Sequence, residues 1–146
     1  MSEAESEAFA AELDGLLRRV TGMVRKRGRA ALDDAGVSLV EFDALLHMDW
    51  AGPVAIGDLA ARLGLAYSTT TDLVDRMEQR HYVQRERDCA DKRIVRVRVL
   101  TEGRAVLAQV LEARRRFLAQ ALLLEEAERE GIIGALRLLE DHLLRA

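Results

Sequence analysis

The chain has 146 residues, 49% hydrophobic and 32% charged, a balance that suits one folded domain with a sizeable core and excludes a disordered polymer. Its single cysteine, Cys89, excludes an internal disulfide framework and points to a reducing, cytoplasmic setting, and no run reaches the roughly 18 uninterrupted apolar residues of a membrane span. The net charge of −3 hides an uneven distribution: residues 53–104 hold 10 basic and 8 acidic side chains (+2), and the remainder hold 12 and 17 (−5).

The acidic start, Ser2 to Glu7, lacks the basic and apolar regions of a secretory signal. With one proline and abundant Ala, Leu, Arg and Glu, helix is expected to dominate. Phe9, Leu13, Leu16, Leu17, Val20, Met23 and Val24 recur at helical spacing, and the basic run Arg25–Arg29 is expected near that helix's C-terminus, where the dipole favours cations. Asp33–Gly36 reads as a loop. Ser38 followed by Glu41 is a capping box that opens a second helix with an apolar face of Leu39, Phe42, Leu45 and Leu46, ended by Ala51-Gly52-Pro53.

A short helix over Ile56–Leu63 follows, with Leu59, Ala60 and Leu63 inward, then a turn at Gly64 and a core contact at Leu65. The next helix spans about Ala66–Arg80. Its Thr70, Leu73, Val74 and Met77 form the buried stripe, which turns Ser68, Thr69, Thr71, Asp72, Asp75 and Arg76 outward. Asp75 and Glu78 are expected to pair locally with Arg76 or Arg80. The period then changes to two: Val95, Val97 and Val99 alternate with Arg96 and Arg98, with a partner strand at Tyr82–Arg87 and a hairpin loop over Asp88–Asp91. Arg80–Arg98 carries seven basic and three acidic residues. Thr101 is the expected N-cap of a long helix, and Ile132, Ile133, Leu136, Leu139, Leu143 and Leu144 mark a last one.

Two helices joined through a glycine turn and followed by a basic hairpin suit DNA. A helix fits the major groove, where base edges carry a distinguishable code, and an arginine-tipped hairpin reaches the adjacent minor groove. The run LVEFDALLHM, then IGDLAARLGLAYSTTTDLVDRMEQRHYVQRERDCADKR and IVRVRVLTEGR, resembles the multiple-antibiotic-resistance regulator (MarR) family. The resemblance covers Leu39 to about Leu107.

What it implies is a mainly α protein: a single domain over 1–146, with a winged helix-turn-helix at 37–101 (three-helix core plus β-hairpin wing) and N- and C-terminal dimerisation helices at 1–36 and 102–146. The implied function is that of a DNA-binding transcriptional regulator, a homodimer on a near-palindromic operator in double-stranded DNA, acting as a ligand-responsive repressor.

Tyr67, Ser68, Thr69, Thr71, Asp72 and Arg76 then fall on the recognition helix, Lys92 and Arg93 at the wing tip, and Asp91 as the support of Arg93. The chain departs from the family's pattern at four of these surroundings: Asp72 where a basic residue is common, His81 where glycine is usual, Cys89 where proline is common, and Ala66 where serine caps the helix. An aromatic or phenolic effector is implied, with His47 and Trp50 as its pocket; core packing is the other reading of Trp50.

Cys89 admits a redox role by its exposed basic setting, but the family's peroxide sensors carry their cysteine near the amino terminus. His47, His81 and His142 form no ligand motif, so neither metal nor other cofactor is expected. No nucleophile–base pair or phosphate loop suggests an enzyme. The rival reading is a winged-helix protein–protein adaptor without DNA binding, favoured by Asp72 and the acidic total.

Overall fold

The computed structural model describes residues 2–146. Helix α1 (Glu3–Ala35) opens on a capping box between Ser2 and Glu5. It runs through the expected loop at Asp33–Ala35 and stops at Gly36, whose φ of 63° suits a residue without a Cβ. The stop is set by two hydrogen bonds of 3.0 Å, from Gly36 N–H to the Asp33 carbonyl and from Val37 N–H to the Leu32 carbonyl, with Val37 and Leu32 both buried. Arg25–Arg29 therefore lies well inside the helix, and the last turn of α1 holds no basic residue.

Helix α2 (Leu39–Ala51) begins with the expected capping box: the Glu41 N–H donates to Ser38 Oγ at 3.2 Å and the Ser38 N–H to Glu41 Oε2 at 2.8 Å. Its buried arc is Phe42, Ala44, Leu45 and Met48, whereas Leu39 and Leu46 are exposed. The arc turns toward Leu45 because α2 packs against both α3 (Ile56–Leu63) and β3 (Val95–Val99), elements that local periodicity cannot place.

The short strand β1 (Val54–Ala55) was not expected; it pairs antiparallel with β3, Val54 opposite Val97 and Ala55 opposite Arg96. Helix α3 has the expected bounds and ends at Gly64 (φ 66°), where the Leu65 N–H returns to the Ala60 carbonyl at 3.0 Å and Leu65 packs half-buried on the core. Helix α4 (Tyr67–Gln79) and strand β2 (Val83–Arg87) follow. The sheet order is β1–β3–β2, and β2 pairs with β3 through Val83 opposite Val99, Arg85 opposite Val97 and Arg87 opposite Val95. Helix α5 (Thr101–Ala121) starts at Thr101 itself, so Thr101 is the first helical residue and not the cap before it.

Leu45, Met48, Leu59, Leu73, Val74, Met77, Val83 and Val97 are almost wholly buried in one cluster, which fixes α4 and the hairpin on α2 and α3. Residues to Arg114 make one compact unit. Arg115–Ala146, with the end of α5 and helix α6 (Glu126–Leu143), make a second, in which α6 buries no residue.

Candidate nucleic-acid interface

All four stripe residues of α4 face the core: Thr70, Leu73, Val74 and Met77 are at most 2% exposed. That burial turns Tyr67, Ser68, Thr69, Asp72 and Arg76 to solvent, while Thr71 is half-buried. The Thr71 hydroxyl donates back to the Tyr67 carbonyl at 3.1 Å, leaving its oxygen as an acceptor toward solvent. Thr70 spends its hydroxyl the same way on the Ala66 carbonyl, at 3.0 Å. Ala66 offers no side-chain cap, so the first-turn N–H groups of α4 meet solvent with the positive end of the helix dipole behind them.

The far end of α4 is closed by His81 in the left-handed region (φ 58°), with its N–H on the Glu78 carbonyl and the Tyr82 N–H on the Met77 carbonyl. Arg80 reinforces this corner. Its guanidinium donates to the Tyr82 hydroxyl at 2.7 Å, lies over the Tyr82 ring at 4.5 Å, and approaches the buried Glu41 carboxylate of α2 at 3.7 Å.

The wing projects beyond the core: at its outer end Arg87 and Val95 are opposite one another and both exposed. Two aspartates shape its loop. Asp88 accepts from the Ala90 N–H at 2.9 Å and from Arg96 Nε at 2.8 Å, and these bonds hold its carboxyl below the ordinary aspartate range. Asp91 accepts from Arg93 Nε at 3.1 Å and from the Arg93 N–H at 3.0 Å, with the same effect on its carboxyl. The expected Asp91–Arg93 pair is present, and the Arg93 side chain stays 91% exposed at the tip beside exposed Lys92. Arg96 and Arg98, on the strand's other face, are engaged by Asp88 and by Glu86 with Gln84.

The local pairs expected for Asp75 and Glu78 do not form. Both acids turn to Arg85 of β2, at 2.7 Å each. Partial burial works against the Arg85 charge, yet its hydrogen bonds to Glu78 and Asp75 outweigh that and hold its pKa above the ordinary arginine value. The sequence held one clue to this arrangement: Arg85 shares the parity of Val83, so a strand that buries Val83 turns Arg85 toward α4.

His47 and Trp50 do line a concavity, of about 400 Å³, together with Val40, Asp43, Leu46, Arg62 and Leu63. Trp50 is 86% exposed, which sets aside its core-packing reading; its neighbour Met48 is the core residue. This concavity belongs to α2 and α3 and is not part of the α4 face. A larger one, about 790 Å³, lies between α1 and α2 and is lined by Arg25, Lys26, Arg29 and the cap Ser38 among others. Cys89 is exposed in the wing loop. Among the described residues no His, Cys, Asp or Glu cluster has the makings of a metal site, and no helix is long and apolar enough to cross a membrane.

A family model described as MarR family matches residues 37–95. The uncharacterized HTH-type transcriptional regulator YsmB of Bacillus subtilis is 34% identical over 108 residues, which cover 74% of this chain and 74% of its own. A MarR family protein from Bacillus stearothermophilus superposes with a TM-score of 0.83 at 36% identity, covering 94% of this chain and 97% of its own. A MepR mutant from S. aureus, solved bound to an oligodeoxyribonucleotide, shares the fold at 16% identity, with a TM-score of 0.66 over 90% of this chain and 97% of its own.

Proposed function

The chain belongs to the MarR family and is a DNA-binding transcriptional regulator, and from that premise we propose that it represses transcription as a homodimer on a near-palindromic operator. In this reading residues 1–36 and 102–146 dimerise and residues 37–101 read double-stranded DNA. The observation that carries it is the α4 surface: a fully buried stripe leaves Ser68, Thr69, Asp72 and Arg76 exposed around a helix end whose N–H groups favour phosphate. Small hydroxyl side chains permit close approach to base edges. Tyr67 and Arg76 flank the face, Thr71 presents an acceptor, and Asp72 accepts from cytosine N4 in the major groove. Lys92 and Arg93 enter the neighbouring minor groove, with Asp91 holding the Arg93 guanidinium through two hydrogen bonds.

Dimerisation is supported by apolar side chains that the chain leaves uncovered: Phe9, Leu16, Val20 and Met23 on α1, and Ile132, Ile133, Leu136 and Leu143 on α6. Two α4 helices then meet successive major grooves about 34 Å apart. An aromatic or phenolic effector binds the α2–α3 concavity, stacking on exposed Trp50 beside His47 and Arg62, and biases the reading heads through α2.

The test is fluorescence anisotropy of Thr69→Ala with Arg93→Ala on a duplex that the wild-type protein selects from a random-sequence library. Affinity is expected to fall at least about tenfold, with the salt slope smaller by about one. Unchanged affinity and slope overturn the assignment of these residues.

A further inference from the structure

Two carboxylates on the outer flank of α4, Asp75 and Glu78, stand on a helix that approaches a polyanion, where unpaired acids oppose binding. Arg85 answers both. One terminal nitrogen lies 2.7 Å from Asp75 Oδ1 and also donates to the Thr71 carbonyl at 3.4 Å; the other donates to Glu78 Oε2 at 2.7 Å. The second Glu78 oxygen accepts the Arg85 backbone N–H at 2.9 Å. One side chain of β2 thus grips two turns of α4, from Thr71 to Glu78.

We propose that Arg85 is a positioning residue for DNA recognition: it locks the rotation of α4 against the base of the wing and so sets the spacing of the two DNA-reading elements. The inference rests on α4 and the wing being those elements. Register explains how the clamp is built. Opposite Val97, which is fully buried, Arg85 lies on the inner face of the sheet, so its stem packs inward and its guanidinium emerges where α4 passes over β2.

Its side chain is only 24% exposed but the Asp75 and Glu78 side chains are 51% and 37% exposed, so the clamp acts through its geometry more than through its Coulomb energy. The flat, rigid fork of a guanidinium meets three acceptors at fixed angles, a task that the compact ammonium of lysine performs poorly. Two residues beyond Arg85 the strand leaves the body as the wing, so a small change of angle at the clamp is amplified at Arg93.

A clamp and a phosphate contact predict opposite results. The probes are the duplex selected by the wild-type protein and a scrambled duplex of equal length and composition, each titrated by anisotropy across a salt series, with thermal melts to confirm folding. Arg85→Lys is expected to lose about tenfold on the selected duplex and under twofold on the scrambled one, with an unchanged salt slope. Asp75→Asn with Glu78→Gln is expected to lose about as much on the selected duplex, although it removes negative charge. Combining all three changes should cost no more than either set alone.

Tighter binding of both duplexes after removal of the acids overturns the clamp, because the carboxylates then act only by repulsion. So does a loss for Arg85→Lys that is equal on both duplexes, or a loss for Arg85→Gln that lowers the salt slope by about one, the signature of a phosphate contact given up with its charge. If Arg85→Lys melts early, Glu78→Gln alone carries the same comparison. A wild-type protein that selects no sequence overturns the DNA-reading assignment, and the clamp's role with it, whereas the preceding outcomes overturn the clamp alone.

Discussion

At Gly103, in the first turn of α5, a Cβ would collide with the Tyr82 carbonyl oxygen and lie 2.9 Å from Val99 Cγ1. That carbonyl cannot turn aside, because it accepts the Leu100 N–H at 2.8 Å and so ties the end of the sheet to the corner after α4. An alanine elsewhere in a helix gains about 1 kcal/mol over glycine. Here the backbone obstacle reverses the sign, and Gly103→Ala is expected to destabilise the fold by about 1–3 kcal/mol, read as a lowered Tm. A melt at or above the wild-type temperature would show that α5 shifts freely at this contact. His81 is the complementary case. It holds a left-handed backbone at a helix end where glycine is the least strained residue, and the two returning hydrogen bonds of that corner keep it there.

The wing loop is held by charge, whereas α4 has its buried stripe in addition to the Arg85 pairs, so the two elements respond differently to acid. Asp88 is stabilised as a carboxylate first by the Ala90 N–H and then by Arg96, and Asp91 first by the Arg93 side chain and then by its N–H. A carboxyl whose folded-state pKa is depressed contributes stability above its unfolded value of about 3.9 and loses it as pH falls through the folded value. The wing loop is therefore expected to keep its order at pH values down to the ordinary aspartate range and to loosen below it, with α4 still packed. NMR titration should show the Asp88 and Asp91 carboxyls and the Ala90 and Arg93 amides moving together, with midpoints under the reference 3.8. Midpoints at or above that value would mean that the loop bonds do not persist in solution.

For the whole molecule, the acidic total and the proposed reading surface are compatible because they occupy different segments: residues 53–104 balance at +2 and the remainder at −5. The same remainder carries the uncovered apolar side chains of α1 and those of α6, on which the proposed dimer rests. Sedimentation velocity at micromolar concentration is expected to give a dimer for the wild-type chain, and a monomer for Val20→Glu with Leu136→Glu. A monomeric wild type would remove the basis for a palindromic operator.

The helices that a short window of sequence specifies are legible in the sequence alone. The Ser38–Glu41 box, the bounds of α3, the Gly64 turn and the α4 stripe all depend on residues within a few positions of one another, whose spacing is set by helix or turn geometry, whereas the Asp91–Arg93 pair is implied by the family resemblance. The helix-turn-helix order and the family resemblance follow from the same local patterns. What depends on chain segments far apart is decided only by tertiary packing. The two residues of β1 are too few to show a period, the buried arc of α2 is turned by α3 and β3, and Trp50 is assigned to solvent by the placement of Met48. Asp75 and Glu78 have nearer cations in sequence, Arg76 and Arg80, yet the register of β2 against β3 brings Arg85 closer in space. Local spacing determines which face a residue occupies; only the packed sheet determines which partner it meets there.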